Sequence, residues 1–232
     1  VKEDFYILGE IWHSSQSWLQ GDEFHGVMNY AYTETIQSFF MKETISANKM
    51  VAGLNEQLML YRNQTNEVMF NVLDSHDTAR LLTVSKDNKQ LAKAGLAFMF
   101  TQHGSPCIYY GTEIGMDGFN DPDCRKCMIW DEEKQDSTML SFTKELIAFR
   151  KTNQELLSYG EVEWFDVRDD EKVIGFKKKF GDEEFICYFN QGEEDLELSL
   201  DQIPEVLFWN LAFLDNKLLS VKQNGFAIYK VE

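Results

Sequence analysis

The stretch FNVLDSHDTAR at residues 70–80 decides how this sequence is interpreted. Its first four residues suit a buried β-strand, and the next residues include the adjacent pair His76 and Asp77. Parallel α/β barrels carry their chemistry at the carboxyl ends of their strands. The stretch therefore predicts a parallel strand whose end presents an imidazole and a carboxylate.

A second predicted strand end has the same form. Residues 5–9 are mostly apolar and lead into Glu10, which is followed closely by Trp12 and His13. Glycoside hydrolysis uses paired carboxylates, and a nearby indole that excludes water raises the pKa of a carboxyl group. The alternative is that each acid only caps a strand or begins a helix. For either motif alone, we give the two interpretations about equal weight.

Four ordered motifs resemble the α-amylase family of glycoside hydrolases. They are GEIWH at 9–13 with the following WLQGDEF and VMNY, LDSHDTARLLT at 73–83, GSPCIYYGTEIG at 104–115, and DPDCR with MIWD at 121–131. The last motif is similar to the neopullulanase, cyclomaltodextrinase and maltogenic amylase branch. The resemblance covers residues 1 to about 150 and implies an α/β fold, the second half of a (β/α)8 (TIM-type) barrel.

The resemblance also implies roles for individual residues. Glu10 matches the general acid/base, and Asp77 matches the carboxylate that stabilises the transition state. The remaining matches are substrate-binding: His76 on the same sugar ring, Trp12 and His13 on the aglycone side, and Asp121 with Arg125 on the donor side. For Asp121 and Arg125, a surface salt bridge is the competing interpretation.

The family's nucleophilic Asp precedes the acid-bearing fifth strand, and only four residues precede residue 5 here. We therefore expect the chain to be the C-terminal part of a longer retaining α-glucan hydrolase. The expected substrates are maltodextrins, cyclodextrins or pullulan, cut at α-1,4 or α-1,6 bonds. The chain alone is expected to be inactive, and its open half-barrel is expected to associate as a homodimer.

The pattern changes near residue 155. Residues 1–154 alternate strands, placed near 5–9, 26–30, 69–74 and 106–110, with helices at 34–42, 49–62, 88–102 and 138–151. Residues 155–232 are predicted to form a second, all-β antiparallel sandwich domain. There, Trp164, Trp209 and Tyr229 are either core residues, which we favour, or sugar platforms.

Composition limits the partners. The chain has 232 residues, 44% of them hydrophobic, and a formal net charge of −17, which argues against nucleic acid and anionic membranes. Four cysteines suggest no disulfide framework, which favours a reducing, cytoplasmic compartment. Cys124 and Cys127 have the spacing of a metal pair, but nothing completes a zinc site, so no metal or cofactor is expected.

Two other functions stay open at this point. One is a non-catalytic amylase-like scaffold, against which the presence of Glu10, His76 and Asp77 argues. The other is a carbohydrate-binding fragment in which residues 155–232 alone hold the glucan. An Arg-x-Asp motif in the parent's fourth strand would favour the enzyme, whereas loss of glucan binding on deleting residues 155–232 would favour the binding fragment.

Overall fold

The computed structural model describes residues 5–231, and four short parallel strands organise its first part. They are β1 (Leu8–Gly9), β2 (Gly26–Val27), β3 (Phe70–Asn71) and β4 (Ser105–Pro106). β1 pairs with β2 and β3 pairs with β4, both in parallel, and a parallel bridge between Met28 and Phe70 connects the two pairs. The strands are therefore spatial neighbours in chain order, as expected for consecutive βα units of a barrel.

The strands are shorter than the sequence predicted. Hydrogen bonds outside the assigned pairs, such as His25 N to Ile7 O at 2.9 Å and Cys107 N to Asn71 O at 2.8 Å, extend the pairing by about one residue. β2 ends early because the Asn29 side chain accepts a hydrogen bond from Tyr32 N and caps the next helix. Residues predicted as strand ends thus begin the helices and loops that hold the site.

Helices separate and follow these strands. They are α1 (Tyr30–Phe40), α2 (Ala47–Leu60), α3 (Asn63–Val68), α4 (Leu81–Val84), α5 (Lys89–Thr101), α6 (Ser137–Thr152) and α7 (Gln154–Tyr159). Four of them correspond to the predicted helices, with ends displaced by a few residues. Side chains of Ser46, Asn88 and Asp136 accept hydrogen bonds from first-turn amides of α2, α5 and α6, which fixes where these helices begin.

Residues after α7 form an antiparallel sheet, as predicted. Its strands are β5 (Glu161–Arg168), β6 (Val173–Phe180), β7 (Glu183–Asn190), β8 (Leu196–Ser199), β9 (Glu205–Asp215) and β10 (Leu218–Lys230). Hydrogen bonds join all six into one sheet, in which β10 pairs with β7, β8 and β9. Each face carries an apolar cluster.

A continuous core connects the helices to this sheet. The Phe98 ring on α5 lies 5.8 Å from Phe176 on β6 and 5.3 Å from Phe189 on β7, measured between centroids. The secondary structure changes from helix to strand between α7 and β5, and the domain boundary at 154/155 stays a prediction. None of the helices within residues 5–231 combines the length and the apolar character that crossing a membrane requires.

The three aromatic residues of the β region differ in environment. Trp164 belongs to the edge of the main core and donates a hydrogen bond from Nε1 to Asn55 Oδ1 at 3.0 Å, and Tyr229 is buried. Trp209 is 42% exposed. The first two therefore act as core residues.

Two buried basic side chains lie where α6 and α7 meet the sheet. Arg150 donates hydrogen bonds to the carbonyl oxygens of Phe100, Gln102 and Gly104, at 2.7–2.8 Å. The fully buried Lys178 of β6 donates from Nζ to Leu157 O at 3.0 Å. Backbone carbonyl oxygens thus serve as the acceptors that these buried donors need in the interior.

Candidate active site

Glu10 lies directly after β1, beside an aromatic pair. Tyr30 donates a hydrogen bond from Oη to Glu10 Oε1 at 3.0 Å. The Tyr30 ring stacks on Trp12, with centroids 3.8 Å apart and planes at 3°. The side chain of Glu10 remains 40% exposed, so the exclusion of water expected from Trp12 is partial. Trp12 itself is 53% exposed and offers a free apolar face next to the carboxylate.

His76 and Asp77 face Glu10 from the loop after β3. The Nε2 atom of His76 lies 3.4 Å from Asp77 Oδ2 and 3.9 Å from Glu10 Oε1. One nitrogen atom of His76 and one carboxylate oxygen of each of Glu10 and Asp77 all lie within 4.8 Å of one another. Two strand ends that are separated by more than 60 residues in sequence therefore bring two carboxylates and one imidazole to one point.

The loop around Asp121 closes one side of this group. Arg125 forms two ion pairs, from Nη2 to Asp77 Oδ1 at 2.6 Å and from Nε to Asp121 Oδ1 at 2.7 Å. The Cys124 thiol donates to His76 O at 3.0 Å. The alternative from the sequence was a surface salt bridge between Arg125 and Asp121 alone. Arg125 also forms an ion pair with Asp77, so it contacts the central group as well.

A buried polar network holds the loop that carries His76 and Asp77. Asp74 Oδ2 accepts hydrogen bonds from Leu81 N at 2.8 Å and from Thr112 Oγ1 at 2.7 Å, which closes the loop at its base. The fully buried Arg80 donates from Nη1 to Tyr110 O at 2.6 Å, and its guanidinium lies 4.6 Å from the centroid of the Tyr109 ring. This network keeps the loop in place.

Burial changes the charge preferences of two groups in this region. Burial raises the pKa of the Asp74 carboxyl to about 6, although its hydrogen bonds from Leu81 and Thr112 oppose the rise. Burial also raises the pKa of Tyr30 to about 12, a rise to which the Glu10 carboxylate adds. Tyr30 therefore keeps its proton at neutral pH and acts as a hydrogen-bond donor to Glu10.

The structure brings together most of the residues that the sequence singled out. Glu10, His76 and Asp77 form the centre, and Arg125 with Asp121 borders it. Trp12 approaches through its stack on Tyr30. His13 is exposed, and its Nδ1 lies 3.0 Å from Ser14 O.

Sequence reasoning gave no role to Tyr30 or Ser75, whose hydroxyl oxygens lie 3.1 Å apart. Ser75 Oγ also accepts from Asp77 N at 3.2 Å, so these hydroxyls connect the Glu10 side to the Asp77 side. A signal for Tyr30 was present, because it lies at the end of the second predicted strand, near the level at which Glu10 ends the first.

This arrangement defines a class of protein: a parallel barrel-type α/β fold with carboxylates and an aromatic face at its strand ends. The family model for the α-amylase catalytic domain matches residues 1–160. The chain belongs to the α-amylase family.

Named relatives agree with this assignment. An intracellular maltogenic amylase from Bacillus subtilis is 53% identical over 202 residues, covering 87% of this chain and 34% of the relative. A cyclomaltodextrinase from Geobacillus thermopakistaniensis (strain MAS1) is 44% identical over 241 residues, covering 100% of this chain and 41% of the relative. The solved structure of a cyclic α-maltosyl-(1→6)-maltose hydrolase from Arthrobacter globiformis has a TM-score of 0.84 at 32% identity, over 97% of this chain and 48% of that chain. This chain thus spans about a third to two fifths of the two curated relatives.

Proposed function

We propose that this chain supplies the acid/base side of the active site of a retaining α-glucan hydrolase. The proposed substrates are maltodextrins, cyclodextrins or pullulan, cleaved at α-1,4-glucosidic bonds, with α-1,6 bonds as an alternative. The names of the relatives, a maltogenic amylase and a cyclomaltodextrinase, support this substrate class. The name of the first relative also supports an intracellular location for this protein.

One observation carries the proposal. Glu10 Oε1, His76 Nε2 and Asp77 Oδ2 converge within hydrogen-bonding reach of a single sugar ring, with separations of 3.4 and 3.9 Å from the imidazole. The exposed Trp12 face lies alongside, and aromatic faces pack well against the apolar faces of glucose. A carboxylate pair that serves only to cap helices would not need such convergence.

Each residue takes a separate role in the proposed reaction. Glu10 protonates the departing glycosidic oxygen and, in the second step, removes a proton from the attacking water. Tyr30 orients the Glu10 carboxyl through its hydroxyl. Asp77 and His76 bind hydroxyls of the sugar that passes through the oxocarbenium-like transition state. No Asp of this chain matches the family's nucleophile, so the covalent step requires a residue supplied by the rest of the enzyme.

The test is Glu10→Gln in the full-length enzyme, assayed on maltodextrin and on α-glucosyl fluoride. Fluoride leaves without protonation, and kcat/KM reports the first step, before Glu10 acts as a base. The variant should therefore lose about 10²–10⁴-fold in kcat/KM on maltodextrin and much less in kcat/KM on the fluoride. Glu56→Gln, on the exposed side of α2, is the matched control and should leave both rates unchanged. Equal losses in kcat/KM on both substrates, or a near-normal kcat/KM on maltodextrin, would rule out Glu10 as the acid.

We further infer that the 232-residue chain alone is inactive and self-associates. Within residues 5–231, β1 and β4 each pair on one side only, and Phe5 and Leu8 near the β1 edge are 59% and 38% exposed. Unpaired edges with apolar side chains favour association with a second copy. Light scattering should report a dimer, and a monodisperse monomer at high concentration would contradict this inference, as maltodextrin hydrolysis by the chain alone would contradict its inactivity.

A further inference from the structure

We propose that Glu10, His76 and Asp77 form a binding site for a transition-metal ion such as Zn²⁺, and that metal bound there excludes the glucan. Metal binding by this group does not depend on the proposed function. The exclusion of glucan does rest on it.

The geometry of the group comes close to that of a zinc site. Tetrahedral Zn²⁺ with nitrogen and oxygen ligands at about 2.0–2.2 Å places neighbouring ligand atoms about 3.4 Å apart. His76 Nε2 and Asp77 Oδ2 already lie 3.4 Å apart, and His76 Nε2 and Glu10 Oε1 lie 3.9 Å apart. All three atoms lie within 4.8 Å of one another, so Glu10 Oε1 must move by up to about 1.4 Å before the three can bind one ion, a movement that rotation of a partly exposed Glu side chain allows.

The outer contacts of the group leave its ligand atoms available. Arg125 binds Asp77 through Oδ1, whereas Oδ2 is the oxygen that faces His76. Tyr30 donates to Glu10 Oε1, as the outer-shell partners of metal ligands do, and that oxygen keeps a second lone pair for a metal. Three protein ligands with their side chains 33–40% exposed would leave a coordination position open to water.

The ligand set selects the class of metal. An imidazole nitrogen with two carboxylates suits zinc and similar ions, whereas calcium and magnesium take oxygen ligands only. The competing interpretation is that His76 only pairs with the two carboxylates and that the group binds no metal.

Other exposed side chains could also bind zinc, and the experiment must distinguish them from the proposed site. Cys127 is an exposed free thiol, three residues after the buried Cys124, and thiolates bind zinc well. His13 is another exposed imidazole on the same segment as Glu10. Both therefore provide matched controls, because each can be replaced without removing a ligand of the proposed site.

The experiment is isothermal titration calorimetry of Zn²⁺ into the full 232-residue chain at pH 7.5, with circular dichroism to verify the folding of each variant. The account predicts one zinc per chain, and no comparable heat with Ca²⁺. His76→Gln and Glu10→Gln should each weaken zinc binding at least about 100-fold, since loss of an outer-shell partner alone typically costs 10–100-fold. His13→Gln and Cys127→Ser should leave the affinity within about threefold, because neither removes a ligand of the site.

Zinc binding that is lost in Cys127→Ser, or that persists in both His76→Gln and Glu10→Gln, would overturn the proposal. So would the absence of any zinc binding. In the full-length enzyme, Zn²⁺ should raise the apparent KM for maltodextrin without lowering kcat. If the proposed function failed, that enzyme would not hydrolyse maltodextrin at all, and the calorimetric result would still stand.

Discussion

Lys178 gives the sharpest prediction for the stability of the chain. Its side chain is fully buried, and its Nζ donates to Leu157 O, with the buried Arg150 nearby. Burial lowers the pKa of Lys178 to about 7 from the ordinary value of 10.5, and Arg150 adds to the lowering. The folded state therefore prefers the neutral amine, whereas the unfolded state holds the proton up to about pH 10.5.

The sign of the pH dependence follows from this difference. Since the pKa is depressed in the folded state, stability should rise with pH between about 7 and 10.5, where the unfolded chain binds more protons. The shift corresponds to a penalty of about 5 kcal/mol below pH 7. About 3 kcal/mol of it should be relieved between pH 7 and pH 10. Most of the side chain lies away from water, so solvent screening reduces this value little.

The assay is urea unfolding of the wild type and Lys178→Met at pH 7, 8, 9 and 10. The free energy of unfolding of the wild type, relative to the variant, should increase by about 3 kcal/mol across this range. Lys177→Met, at the neighbouring position, is the matched control. It removes a partly exposed lysine whose Nζ lies 3.0 Å from Glu184 Oε1. A flat difference for Lys178→Met, or an equal slope for Lys177→Met, would refute the reasoning.

Two further predictions concern a helix cap and the site. Asp136→Ala removes the side chain that accepts hydrogen bonds from Thr138 N and Met139 N at the start of α6, so the free energy of unfolding in urea should fall by about 1 kcal/mol. Asp131→Ala removes the cap of only the three-residue turn Glu132–Lys134 and should lower the free energy of unfolding by less. An equal cost for both would contradict the cap's role. Tyr30→Phe in the full-length enzyme keeps the ring stack on Trp12 but removes the hydrogen bond to Glu10. We expect kcat on maltodextrin to fall about 10–100-fold with little change in KM. An unchanged kcat would contradict the orienting role of Tyr30.

The sequence predicted the fold well because its signals are local. Alternation of apolar strands with amphipathic helices identified the four parallel strands and the four helices at 34–42, 49–62, 88–102 and 138–151, although it did not show where caps such as Ser46 and Asp136 begin them. Strand ends were placed less well, because Asn29 serves as a helix cap rather than as a strand residue. In the β region, the local alternation identified strands but could not show that β10 pairs with three others, since pairing depends on contacts distant in sequence.

The site was predicted in part for the same reason. Strand-end position suggested Glu10 and the pair His76 and Asp77, but it could not reveal that Arg125 contacts Asp77, 48 residues away. Tyr30 was missed because a single Tyr after a strand has many ordinary explanations. Only the spatial arrangement shows that its hydroxyl contacts the Glu10 carboxylate.

The central claim is that Glu10, His76 and Asp77 surround the sugar at the point of cleavage. It is tested most directly by a crystal structure of the full-length Glu10→Gln enzyme with bound maltotetraose. We predict the glycosidic oxygen within about 3 Å of the substituted amide side chain, with hydroxyls of the adjacent glucose bound by His76 and Asp77. A sugar bound elsewhere in the crystal, with these three positions facing only solvent, would contradict the account.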